Sequence, residues 1–295
     1  MTGRVTIDGV DILASFGVYV TDYRGVLSWP ALKEFPKYDW PDEDGLEVDL
    51  SSPALDIRSF SISFCGSATA NMGAFFEHIT TGANHTWVFE DLGLTKVLRV
   101  IDHSSYRGAE MMRDFSLVVA EDDYTIPSFV DPVLSYRTGV EIDEKDFGVF
   151  GVRVGDLREQ LQKSPAVKIN LLTSRTGSGA IYDGQEVFFQ AKDLTIPCSA
   201  RLPKESFLNN WNALLHELTR PNERLLYVDS MGMEYPCYYK EVEVQKLSVG
   251  DIITCEFDIV VTLTSFRIGG DEYLLASEDS ELIMTEDGEY YINLE

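Results

Sequence analysis

Phe16-Gly17-Val18-Tyr19-Val20 returns 134 residues later as Phe150-Gly151-Val152-Arg153-Val154, and this echo decides how the chain is read. Other echoes surround it. Pro30-Ala31-Leu32-Lys33 returns as Pro165-Ala166-Val167-Lys168, and Asp44-Gly45-Leu46-Glu47-Val48 as Asp183-Gly184-Gln185-Glu186-Val187. Phe115-Ser116-Leu117-Val118-Val119 matches Phe257-Asp258-Ile259-Val260-Val261, 142 residues on. The matches keep one order while their spacing drifts by a few residues, as loop insertions produce and chance pairings do not. The chain therefore reads as one module copied in tandem.

At 295 residues with 44% hydrophobic content, there is material for two cores. The expected division is residues 1–123 for the first copy, 124–139 for a linker containing Pro127 and Pro132, 140–267 for the second copy, and 268–295 for an acidic extension. That extension repeats Ser277-Glu278-Asp279-Ser280-Glu281 as Thr285-Glu286-Asp287-Gly288-Glu289, a small β meander in expectation. No apolar run reaches the 18 or so residues of a membrane span. The opening Val5-Thr6-Ile7 enters a strand with no leader-like segment, so synthesis in the cytoplasm without a signal peptide is expected.

Most of each copy reads as β. Phe60-Ser61-Ile62-Ser63-Phe64 alternates apolar and hydroxyl positions, and Asp8-Gly9 after Val5-Thr6-Ile7 signals a tight turn. Phe16 to Val20 reads as a further alternating strand. Pro197, in the counterpart of the Phe60 strand, points to an edge strand or a strand end. One helix is expected per copy: Phe207, Trp211, Leu214, Leu215 and Leu218 form one apolar stripe, and Met72, Phe75, Phe76 and Ile79 align with its last four members. The fold class is mainly β (α+β): two tandem β-sandwich or split-barrel domains, each with one packed α-helix, related by internal duplication. Connections between successive strands are short, which favours antiparallel sheets.

A search for chemistry returns little. The four cysteines, Cys65, Cys198, Cys237 and Cys255, lack metal-ligand spacing and read as buried apolar residues. Nucleophile-elbow and phosphate-loop patterns are missing. His78 and His216 fall on polar helix faces and read as solvated. The clusters Asp42-Glu43-Asp44 and Glu121-Asp122-Asp123 read as solvated acidic loops. The net charge of −25 argues against a grip on phosphates, which needs a basic patch, and fits a wall that DNA passes without sticking. The chain is expected to be a non-enzyme with no catalytic residue, cofactor or metal site. Both Asp-Gly turns follow long loops, so Tyr38, Trp40, Asp44, Gly45, Asp183 and Gly184 are the candidates for contact with a neighbouring chain.

Ile7-Asp8-Gly9-Val10-Asp11-Ile12, Phe16-Gly17-Val18-Tyr19-Val20, Asp39-Trp40-Pro41 and Asp44-Gly45-Leu46-Glu47-Val48 resemble tail proteins of long-tailed bacteriophages, of the distal tail, baseplate hub and tail-tube groups. The resemblance spans about residues 5–120 and returns more weakly over 140–265; the second copy lacks the Trp-Pro before its Asp-Gly. It implies a structural protein of the virion tail that self-assembles into a ring around the DNA channel and contacts neighbouring tail proteins. A trimer of two-domain chains with pseudo-six-fold symmetry is favoured over a hexamer. DNA would pass without specific binding, and no membrane is involved. Two other readings stand beside this one. One is a carbohydrate- or host-surface-binding module using Tyr38, Trp40 and Trp87; the other is a tail-attached hydrolase.

Overall fold

The computed structural model describes residues 4–104, 113–133, 135–168, 171–173, 180–182 and 187–266. The acidic extension, Asp183 and Gly184 lie outside these residues.

The Asp8-Gly9 signal makes a two-residue hairpin joining β1 (Val5–Ile7) to β2 (Val10–Asp11), both turn residues left-handed at φ 51° and 78°. The sheet continues with β3 (Val18–Asp22), β6 (Arg58–Gly66), β7 (His85–Phe89), β8 (Leu94–His103) and β9 (Arg113–Glu121). Its order is β2-β1-β7-β8-β9-β6-β3, antiparallel throughout. Two-residue strands β4 (Lys37–Tyr38) and β5 (Glu47–Val48) form a separate hairpin.

The second copy repeats this plan with β10 (Val140–Ile142), β11 (Lys145–Asp146), β12 (Val152–Val154), β15 (Lys192–Pro203), β16 (Arg224–Val228), β17 (Met233–Ser248) and β18 (Ile252–Leu263). Its order, β11-β10-β16-β17-β18-β15-β12, maps strand for strand onto the first. A two-stranded hairpin, β13 (Leu171–Thr173) with β14 (Ala180–Tyr182), stands where β4 and β5 stand in the first copy. The fold is thus mainly β, in two β-rich units.

In both units one long strand serves two neighbours in turn. Residues 94–98 of β8 pair with β7, and its second half pairs with β9. Likewise β17 pairs with β16 up to Cys237 and with β18 from Cys237 onward. The main helices, α2 (Met72–Thr80) and α4 (Lys204–Leu218), lay the expected stripes on these sheets. Phe75 meets Phe64 and Phe115, each at 5.8 Å between ring centroids, and Trp211 meets Phe257 edge-on at 4.7 Å. No helix among the described residues is long and apolar enough to cross a membrane.

Several sequence expectations need correcting. Phe16 is not in a strand: it ends a short helix, α1 (Ile12–Phe16), and Gly17 at φ 70° is its left-handed cap, so the strand begins at Val18. Gly151 at φ 72° plays the same part after a 3-10 turn at Phe147–Phe150. The repeated Phe-Gly-Val is therefore a helix stop followed by a strand start. A further short helix, α3 (Arg158–Gln162), exceeds the one-helix expectation. Pro197 lies inside β15, between two partner strands. Gly155 N donates to its carbonyl (2.8 Å), so the proline nitrogen faces the same flank, just past the end of β12, where no ladder donor is needed. His78 is half-buried with Nε2 3.1 Å from the Ile7 carbonyl, whereas His216 is exposed. Glu121 is buried, and Asp44 is half-buried and bonded to Phe189 N; neither is the solvated carboxylate expected. All four cysteines are buried and free.

The two hairpin and cap glycines separate backbone handedness from close approach. A Cβ on Gly9 meets nothing within 4 Å, while one on Gly17 would sit 2.8 Å from Ser67 Oγ and 3.2 Å from Ala70 Cα. In urea unfolding, Gly9→Ala is expected to cost about 1 kcal/mol and Gly17→Ala about 2–4 kcal/mol. Equal losses would show that the Ser67 contact plays no part.

Candidate functional site: the junction between the two units

The two sheet units are joined by more than the connecting chain. After β3, Asp22 accepts a hydrogen bond from Arg24 N (3.0 Å) and starts a 3-10 turn over Arg24–Leu27. The end of this turn is held from inside. Arg58, at the start of β6 and 5% exposed, donates Nη1 to the Val26 carbonyl (3.2 Å) and to that of Ser28. Its charge is matched by Glu121 at 2.6 Å, which also takes Lys96 Nζ at 2.9 Å. Burial of an unpaired guanidinium would be very costly, so the acid on β9 is required for the arrangement. Burial, with Arg58 close by, lowers the Lys96 pKa despite Glu121.

Held in this way, the next residue projects from the first unit into the second. Trp29, 4% exposed, forms an antiparallel bridge with Val242 of β17. Its ring lies 4.6 Å from that of Trp211 and 6.2 Å from that of Tyr239. Backbone groups beside it are satisfied from across the boundary. Trp211 Nε1 donates to the Leu27 carbonyl (3.2 Å), the Tyr239 hydroxyl to that of Pro30 (3.0 Å), and Arg24 Nη1 to that of Gln245 (2.7 Å). Burial pushes the Tyr239 hydroxyl pKa far up, so it stays a donor.

A second contact comes from the β4–β5 hairpin loop. Gly45 N donates to the Phe189 carbonyl and Leu46 N to that of Thr264, both at 2.8 Å, while Asp44 Oδ1 accepts from Phe189 N at 2.8 Å. Buried Lys168 reaches across to the carbonyls of Trp40 and Gly45 (2.7 Å each) and to Asp39 at 2.6 Å. Gly45 sits at φ +75° with its Cα against Thr264, and a Cβ there would fall 1.7 Å from the Thr264 carbonyl oxygen. A cleft of about 290 Å³ opens between the units, lined by Lys33, Phe35 and Lys37 on one side and Asp193, Tyr238 and Lys240 on the other.

Of the six candidates from the sequence, the structure thus uses Asp44 and Gly45 inside the chain, against the second unit. Tyr38 and Trp40 stay 51% and 45% exposed, their rings stacked at 5.8 Å and 15°, with Trp40 Nε1 on Glu47 at 2.9 Å. Trp87 is wholly buried and belongs to the core. Trp29, Tyr239 and Lys168 were missed. The available signal was an asymmetry between the copies: the residue before the repeated Pro-Ala is Trp29 in one and Ser164 in the other. Among the described residues no group of three or more His, Cys, Asp or Glu side chains could hold a metal ion. The side chains that cross this boundary are spent on partners across it, which is the chemistry of adhesion.

No protein-family model and no curated protein matches the chain. Among solved structures it is similar to the Dit (gp 19.1) protein of phage SPP1, described as a paradigm of the hub adsorption apparatus in phages infecting Gram-positive bacteria. The alignment covers 89% of this chain and 99% of that one at 11% identity, with a TM-score of 0.32.

Removing the wedge is expected to be costly. Trp29→Ala should lower the unfolding free energy by about 3–5 kcal/mol, the usual range for truncating a buried aromatic, and split one urea transition into two as the units uncouple. A loss under about 1 kcal/mol with a single transition would show that Trp29 does not hold the junction. Gly45→Ala should instead free the loop, read as faster proteolytic cleavage between residues 39 and 46 with the core intact.

Proposed function

We propose that this protein is a structural component of a phage or prophage tail, of the distal-tail or baseplate-hub kind. It assembles into a ring around the DNA channel and joins neighbouring tail proteins. The observation that carries this reading is the junction itself: two units of one topology meet through different surfaces, with Trp29 and the 44–46 loop of the first seated on β17 and its surroundings in the second. Such a contact is heterologous, and repeating it generates rings or filaments, not closed two-fold pairs. The net charge of −25 suits a channel through which a phosphate backbone slides, and the sequence resemblance to tail proteins points the same way. The chain performs no catalysis in this reading and holds no cofactor.

The exposed Tyr38–Trp40 stack favours a second reading, a binding module that meets carbohydrate or a host surface through the β4–β5 hairpin.

Light scattering and negative-stain imaging of the purified full chain separate the two. Annular particles of uniform diameter are expected. A monomer at the highest soluble concentration overturns the ring, and a monomer that binds glycans and loses binding on Trp40→Ala establishes the second reading.

A further inference from the structure

The face of the second unit that receives Trp29 has a counterpart on the first unit, and that counterpart is open. Strand register fixes the correspondence. Val242 pairs with Ile259 on β18, and His103 pairs with Leu117, the residue matching Ile259 on β9. Tyr239 pairs with Val261, and Val100 with the matching Val119. Both strands carry a bulge at the same place, between Val100 and Asp102 in one and Tyr239 and Glu241 in the other. His103 and Val100 therefore stand where Val242 and Tyr239 stand. Here Ile101 is 51% exposed, His103 is exposed, and Phe76 is half-buried 5.2 Å from the His103 ring. The place of Phe189, which receives the loop, is held by half-buried Leu55, since Leu32 bridges Leu55 as Val167 bridges Phe189.

The second unit also repeats the projecting segment. Asp156 accepts from Arg158 N at 3.0 Å, as Asp22 does from Arg24 N. Lys192, at the start of β15, donates to the carbonyls of Gln160 and Lys163, as Arg58 at the start of β6 donates to those of Val26 and Ser28. Lys168 N bonds Phe188 O as Lys33 N bonds Ala54 O. The segment is thus set for docking by the same devices, yet it docks on nothing within the chain: Ser164 and Ala166 are exposed and Val167 is 39% exposed, where Trp29 is buried.

We propose that segment 156–168 of one molecule seats on the Phe76–Val100–His103 face of a second copy of this chain, repeating between molecules the junction found inside each. The occupant is another copy because the donor and the acceptor have the backbone plan of a pair that already fits. Ser164 stands opposite His103, as Trp29 stands opposite Val242. Lacking the indole, the contact between molecules is weaker than the internal one. The proposal takes its biological sense from the ring reading above but stands or falls on a separate measurement.

The test uses the full chain carrying Ser164→Cys and His103→Cys together, because bridged strand residues lie within disulfide reach and the four native cysteines are buried. Mild oxidation should give a covalent ladder beyond the dimer in the double variant, and no species beyond a dimer in either single variant. Ser164→Trp, which restores the wedge, should tighten self-association about tenfold or more in sedimentation. A double variant confined to monomer and dimer, or a Ser164→Trp protein that associates no better than the original, overturns the proposal. Annuli without a ladder remove this contact and leave the ring reading standing; a ladder without annuli does the reverse.

Discussion

The coupling of the two units depends on one buried cation. Arg58 lies under the sheet edge with Glu121 as its counter-charge, and its remaining donors fix the carbonyl end of the 3-10 turn that aims Trp29. The site is closed from above by Tyr124, whose ring lies 5.1 Å from the Arg58 guanidinium and 4.5 Å from Lys96 Nζ. Burial pushes that tyrosine up to about 12. Tyr124 opens the segment connecting the units, so the same charge cluster that sets the wedge also seats the start of the connector. Further along, Asn209 of α4 takes Val130 through both its N–H (2.7 Å) and its carbonyl (2.9 Å), as a neighbouring strand would. The connector is pinned at both ends by opposite units.

Much of the fold was legible because its signals are local and periodic. The Phe60-Ser61-Ile62-Ser63-Phe64 alternation became the alternately buried β6, and the helix stripes became buried faces of α2 and α4. Phe16-Gly17-Val18 misled because a residue before a left-handed cap and a residue after it fall two apart, which imitates strand alternation. Pro197 misled because the rule excluding proline from inner strands concerns a donor facing a partner, and here the partner strand has just ended. The junction was hardest to see. A lone tryptophan between two turns has no period, and a lysine buried by another unit's carbonyls, as Lys168 is, carries no mark in its own neighbourhood.

The copies preserve geometry more faithfully than residues. The first hairpin turns on Asp8-Gly9, the second on Asp143 and Glu144, left-handed at φ 47° and 67° without a glycine. Arg58 with its acid partner becomes Lys192, whose ammonium reaches two carbonyls and lies 4.3 Å from the Phe266 ring. In both cases the position demands a backbone conformation or a donor, and more than one residue supplies it. At Trp29 the demand is for volume, and only the copy that has a receiving face within its own chain supplies it.

That difference bears on how such a chain can assemble. The internal junction forms without the loss of translational freedom that association carries, because the connector holds its two halves at high effective concentration. A large buried aromatic on this side adds stability to every folded molecule. The same side chain at position 164 would lie exposed on every molecule not yet associated, an apolar knob open to any partner. Serine there keeps the free chain from premature contact, and the repeated backbone devices around it keep the segment in shape. The asymmetry between Trp29 and Ser164 therefore separates folding from self-association in a chain whose two halves share one plan.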